Sequence, residues 1–181
     1  MRSTFARSSF AVILLLNGVL FSAHAQLIEP KPEAIRWMSF TDAVKENEKQ
    51  PKKIFIDVFT KWCGWCKRMD ATTYENAGVI SYMNQNFYAV RLDAETHDTI
   101  LFRDKKFVFR PEYKANELAL SLMNGQMSYP TLIYLDEGLN LLGPSPGYLT
   151  TEQLLPQLKY FAENIYKDKT WDIYQKEVYS H

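Results

Sequence analysis

The feature that most constrains this chain is Trp62-Cys63-Gly64-Trp65-Cys66-Lys67, because it holds both cysteines of a 181-residue sequence. A Cys-x-x-Cys pair lying between a buried strand and a helix start is a specific arrangement. The strand before it is Ile54–Phe59, a short apolar run with β-branched residues. A helix is expected to begin after Cys63 and to run toward Tyr74. At a helix N-terminus Cys63 meets free amide protons and the positive end of the dipole, and both favour thiolate over thiol. The thiolate is the species that attacks a disulfide. Cys66, one turn in, lies on the same helix edge and can resolve the mixed disulfide. On the residues alone, a structural disulfide and a copper(I) site of two thiolates remain competing readings. A zinc site would need four ligands, and the sequence has neither a second Cys-x-x-Cys nor a paired-histidine motif.

Asp57 interrupts the apolar strand six residues before Cys63. An ionised carboxylate buried there is costly unless paired, so its pKa is expected to be raised. Such a group could take and return the proton of Cys66. The competing reading is that Asp57 faces solvent, because strand side chains alternate between faces. A third feature is Tyr129-Pro130-Thr131, just ahead of the strand Thr131–Leu135. Its proline is either an ordinary trans loop residue or a cis one in a tight turn.

The N-terminus reads as a targeting segment. Arg2 and Arg7 precede the apolar run Phe10–Phe21, and Ala23-His24-Ala25 supplies the small residues of a cleavage site. This pattern predicts a secretory signal peptide over 1–25, too short to span a bilayer, with a mature chain that does not cross the membrane. An extended leader, 26–36, carries Pro30 and Pro32. Basic and acidic side chains number 21 each, which gives no electrostatic footprint for nucleic acid.

Further along, periodicity predicts helices at Phe40–Glu48 and Asn76–Asn84 and a strand at Phe87–Leu92. Strand, helix and strand imply a parallel pair with a crossover. Ile100–Arg103 and Lys106–Phe109 suggest a hairpin turning at Asp104-Lys105, followed by a helix at Asn116–Met123. Leu139–Leu142 is expected to pair antiparallel with Thr131–Leu135, and Gly143–Gly147 to form a loop. Helices at Thr151–Tyr166 and Thr170–Tyr179 complete the chain.

Taken together, these residues resemble the thioredoxin superfamily, above all its exported members and the soluble domains of thiol:disulfide interchange proteins. The stretch Ile56–Lys67 is similar to the family's active-site segment, and the resemblance covers about Trp37 to Tyr166. It implies an α/β thioredoxin fold over 37–181, with a central mixed β-sheet flanked by helices. An insertion at about 95–127 precedes the cis-proline loop. It implies Cys63 as nucleophile, Cys66 as resolving cysteine and Asp57 as the buried acid. Tyr129-Pro130-Thr131 matches the loop that pairs its backbone with substrate. Trp62, Gly64, Trp65 and Tyr129 complete an expected peptide-binding surface.

The implied activity is dithiol–disulfide exchange on exported proteins, more on the reductase side, with a membrane thiol protein as electron donor. No cofactor beyond the redox-active Cys63–Cys66 pair is expected, and no metal. The alternative is a non-catalytic binding module or chaperone of the same fold with a structural disulfide. Two departures stand out. Trp65 replaces the proline of the usual Cys-Gly-Pro-Cys. The family's lysine partner of the buried acid has no clear counterpart in Phe87–Asp93, where Arg91 is a nearby basic residue.

Overall fold

The computed structural model describes residues 34–180. The expected signal peptide, and the leader up to residue 33, lie outside them.

The apolar run Lys53–Phe59 forms β2, the central strand of a five-stranded sheet. It is preceded by β1 (Trp37–Met38) and α1 (Phe40–Lys49). Ser39 caps α1, its hydroxyl accepting the Asp42 N–H at 3.1 Å. After β2 come α2 (Gly64–Ala71), a 3-10 turn at Thr73–Glu75, α3 (Ala77–Asn86) and β3 (Phe87–Asp93). β3 lies parallel to β2, as the strand–helix–strand order requires, with Asp57 opposite Arg91. The chain then forms a hairpin of β4 (Ile100–Phe102) and β5 (Lys105–Phe107), a short ladder of β6 (Phe109–Arg110) with β7 (Ala115–Asn116), and α4 (Glu117–Leu122). β8 (Thr131–Leu135) returns antiparallel to β2, and β9 (Leu141–Pro146) pairs with β8. α5 (Thr151–Ala162), a 3-10 turn at Ile165–Lys167 and α6 (Trp171–Tyr179) follow. The strand order is β1-β3-β2-β8-β9.

Alternation along the strands divides the core into two layers. Ile54, Ile56 and Val58 of β2 pack with Val90, Leu92, Ile133 and Leu135 beneath α1 and α4. Phe55 packs on the opposite face with Ala89, Leu132 and Tyr134, against α2, α3 and α5. Helices therefore cover both faces of a mixed sheet, which explains why the strands read as continuous apolar runs. Asp57, two residues from Phe55, falls on the face that carries α2.

The segment between β3 and β8 belongs to the first of these layers. Ile100, Phe107, Leu118, Ala119 and Leu122 all lie in that core. Asn116 ties it down. Its amide donates to Thr96 O (3.3 Å) and Asp98 O (3.0 Å), and its Oδ1 accepts the Leu118 N–H at 3.0 Å.

Several elements depart from the periodicity. The hairpin turns at Arg103-Asp104, one residue earlier than expected, with φ of 51° and 60°. Positive φ at both positions suits a two-residue hairpin, and of the two residues Asp104 tolerates it whereas Arg103 does not favour it. Arg103 Nη2 donates to the Gly138 and Leu139 carbonyls at 3.0 and 3.1 Å, which fixes the turn. Gly143–Pro146 is strand rather than loop. Pro144 and Pro146 face Ile133 and Thr131. Being two apart on an edge strand, both turn their missing N–H to the outside, where no ladder bond is lost. The helix expected to reach Tyr166 ends at Ala162, because Asn164 adopts a left-handed conformation. The strand β1 and the β6–β7 ladder are too short for any periodicity to reveal.

Candidate active site

The strand-to-helix junction does what its residues predict. Cys63 is the N-cap of α2, and its sulfur accepts the Cys66 N–H at 3.0 Å. The sulfur thus occupies the place of a capping oxygen, at the positive end of the helix. Cys63 and Cys66 are joined as a disulfide, with Cα atoms 5.3 Å apart. Both residues are buried, at 4% and 2% exposure.

Two tryptophans stand out on either side of the pair, Trp62 at 66% exposure and Trp65 at 59%. Trp62 meets Tyr129 edge to face, with ring centroids 5.8 Å apart, and its Nε1 donates to Glu95 Oε1 at 2.9 Å. Trp65 lies 5.5 Å from the Tyr148 ring, and the Arg68 guanidinium lies over both, about 6 Å from each centroid. Gly64, between the cysteines, is exposed, and a Cβ there would meet no atom within 4 Å. The Tyr129–Pro130 peptide is cis. Pro130 is buried and its carbonyl accepts the Gly147 N–H at 2.8 Å. Thr131 is buried too, its hydroxyl donating to Ser128 O at 2.8 Å, and it lies in the sheet between Val58 of β2 and Pro146 of β9. The edge-to-face contact of Tyr129 with Trp62 links this loop to the cysteines.

Asp57 does not face solvent. It is 1% exposed, and its carboxyl is pushed up to about 7. Burial is the main cause, the Arg91 cation opposes it, and the negative charge of Asp70 adds to it. Arg91 Nη1 lies 3.3 Å from Asp57 Oδ2. The basic partner of the buried acid, for which the sequence offered no clear counterpart, is therefore Arg91. Its guanidinium also holds Asp70 of α2 through both nitrogens, Nη2 standing 3.2 Å from Oδ2. The Tyr74 hydroxyl faces the same carboxyl, although neither it nor Asp57 Oδ1 completes a hydrogen bond among the described residues.

Arg91, Asp70, Tyr74, Glu95, Tyr148 and Arg68 were not among the residues expected at the site. One signal was available for Asp70, which lies four residues beyond Cys66 and so on the same helical face. Among the described residues, no group of three or more His, Cys, Asp or Glu side chains is arranged to hold a metal ion. Nor is any described helix long and apolar enough to cross a membrane.

A mixed sheet between helices, with a Cys-x-x-Cys disulfide capping the helix that leaves its central strand, defines a thioredoxin-fold protein with a dithiol–disulfide pair. Residues 17–143 match the family model described as Thioredox_DsbH, a protein of unknown function, DUF255, and the chain belongs to that family. Solved structures share the fold. One described as a DsbH oxidoreductase superposes with a TM-score of 0.56 at 14% identity, covering 77% of this chain and 92% of that one. A thioredoxin from Thermus thermophilus gives 0.54 at 16%, covering 71% and 88%. A Bacteroides thetaiotaomicron protein, described as a candidate disulphide-isomerase, gives 0.51 at 26%, covering 72% and 93%. Over 63 residues the chain is 30% identical to an uncharacterized protein of Archaeoglobus fulgidus, a match spanning 35% of this chain and half the length of that relative.

Proposed function

We propose that this protein is an exported thiol:disulfide oxidoreductase that reduces disulfides in other exported proteins. The observation that carries the reading is the Cys63 sulfur set as the N-cap of α2, closed onto Cys66 and flanked by two exposed tryptophans.

In the dithiol form the helix terminus favours the Cys63 thiolate. That thiolate attacks one sulfur of a substrate disulfide. The substrate S–S bond breaks, a Cys63–substrate mixed disulfide forms, and the first substrate sulfur leaves as thiolate. Cys66 then gives its proton to Asp57 and attacks the Cys63 sulfur. The second substrate sulfur leaves and is protonated. Two electrons have passed to the substrate, and Cys63–Cys66 is oxidised. A dithiol donor has to restore it, which calls for a thiol protein at the membrane. The chemistry uses no cofactor.

Charge supports the reducing direction. Gly64 and Trp65, between the cysteines, bring no positive charge to the thiolate. The reduced form lacks the strong stabilisation that makes an oxidant. Export rests on the N-terminal pattern, which predicts a mature chain beginning at Gln26.

Capture tests the mechanism. Cys66→Ser should accumulate mixed disulfides between Cys63 and exported proteins, whereas Cys63→Ser should capture none. Equal capture by both variants would refute the exchange scheme. The deep burial of both cysteines favours one rival, a binding module with a structural disulfide. In that case the Cys63→Ser/Cys66→Ser protein would retain full biological activity.

A further inference from the structure

The Arg91 cation is divided between two carboxylates in unlike surroundings. One is Asp57, buried on β2. The other is Asp70, half exposed on α2, one helical turn beyond Cys66. The division is unequal. Asp70 is held by both guanidinium nitrogens, whereas Asp57 receives one contact of 3.3 Å at one oxygen, and its other oxygen has no partner among the described residues. The guanidinium is confined as well. It lies 4.3 Å from the Phe59 ring centroid and 5.3 Å from that of Trp37, so aromatic faces on β2 and β1 limit where it can swing.

A guanidinium fully engaged with Asp57 would hold that carboxyl ionised through charge-assisted hydrogen bonds. We propose that Asp70 is a positioning residue for the exchange reaction: it draws Arg91 toward the surface, holds the cation off Asp57, and leaves that buried carboxyl free to carry the proton of Cys66. The assignment rests on the exchange reading above and extends it. The charges agree in sign, since Asp70 raises the proton affinity of Asp57 and Arg91 lowers it. The charged and titratable groups acting on Asp57 are Arg91 from β3, Asp70 from α2 and the Tyr74 hydroxyl from the turn after α2. Its register partner on β8, Leu132, is uncharged.

The test is a carboxyl-carbon NMR titration of Asp57 in the oxidised protein, beside the pH profile of model-disulfide reduction by the dithiol form. Asp70→Asn should lower the Asp57 midpoint by about one pH unit, and the lower limb of the rate profile should move with it. Asp70→Glu should restore both. Asp57→Asn should remove that limb and mark it as Asp57's. An unmoved midpoint in Asp70→Asn would overturn the proposal. So would a rise, which would mean that Asp70 instead braces Arg91 against Asp57. If the wild-type protein showed no cysteine-dependent exchange, the functional reading would fall, while the titration would still decide whether Asp70 controls Asp57.

Discussion

Asp57 and Arg91 are register partners on parallel strands, and their side chains meet at 3.3 Å on the face of the sheet that carries the cysteine helix. The contact does not overcome burial, for the carboxyl stays raised from 3.8 to about 7. An acid that binds its proton more tightly when folded favours the folded state at low pH. That contribution is fully present below about pH 4 and is lost as pH rises through about 7.

Asp57→Asn removes this penalty. In the oxidised protein the variant should gain stability over wild type between pH 4 and pH 7, with a plateau above. A displacement of this size is worth about 4 kcal/mol at most. Urea denaturation across that range measures it. A difference that stays flat with pH would show that Asp57 is ionised throughout.

The Cys63/Cys66 pair should equilibrate with glutathione buffers at the reducing end of the scale, near about −270 mV. A value near about −120 mV would make the protein an oxidant. Resistance to reduction well below about −300 mV would indicate a structural disulfide.

Trp62 is exposed, yet it is fixed by Tyr129 and Glu95, a rigid aromatic beside the reactive sulfur. Truncation of such an anchor typically costs more than 1 kcal/mol of binding. Trp62→Ala should therefore slow reduction of a protein disulfide roughly tenfold and leave reduction of a small aromatic disulfide nearly unchanged. Equal loss with both substrates would place Trp62 in the chemistry instead of in recognition.

Leu118 on α4 tests whether the segment before the cis-proline loop is structural. It is 1% exposed and packs in the core beneath the sheet. Leu118→Ala should cost about 2–5 kcal/mol in denaturant unfolding. A loss under about 0.5 kcal/mol, typical of surface positions, would mark the segment as an appendage.

What could be read in the sequence was local. The cysteine spacing, the apolar run before it and the carboxylate breaking that run all lie within the thirteen residues from Ile54 to Cys66, and each carries its own physical signal. The Asp57–Arg91 pair was not legible, because a parallel register depends on how a crossover helix returns the chain. Asp70 could have been found by helical spacing from Cys66, but its significance depends on Arg91. The antiparallel partner of β8 was legible, but its run through Gly143–Pro146 was not, because proline and glycine punctuate loops in most settings and only an edge position makes them harmless. The Arg103-Asp104 turn escaped for a related reason, since a distant backbone holds it.

The same prolines matter to the protein's behaviour in a crowd. A sheet with two open sides invites strangers to add strands. Here one side ends in the two residues of β1, and the other presents Pro144 and Pro146 where hydrogen-bond donors would be. Both flanks of the sheet therefore offer little purchase for strand addition.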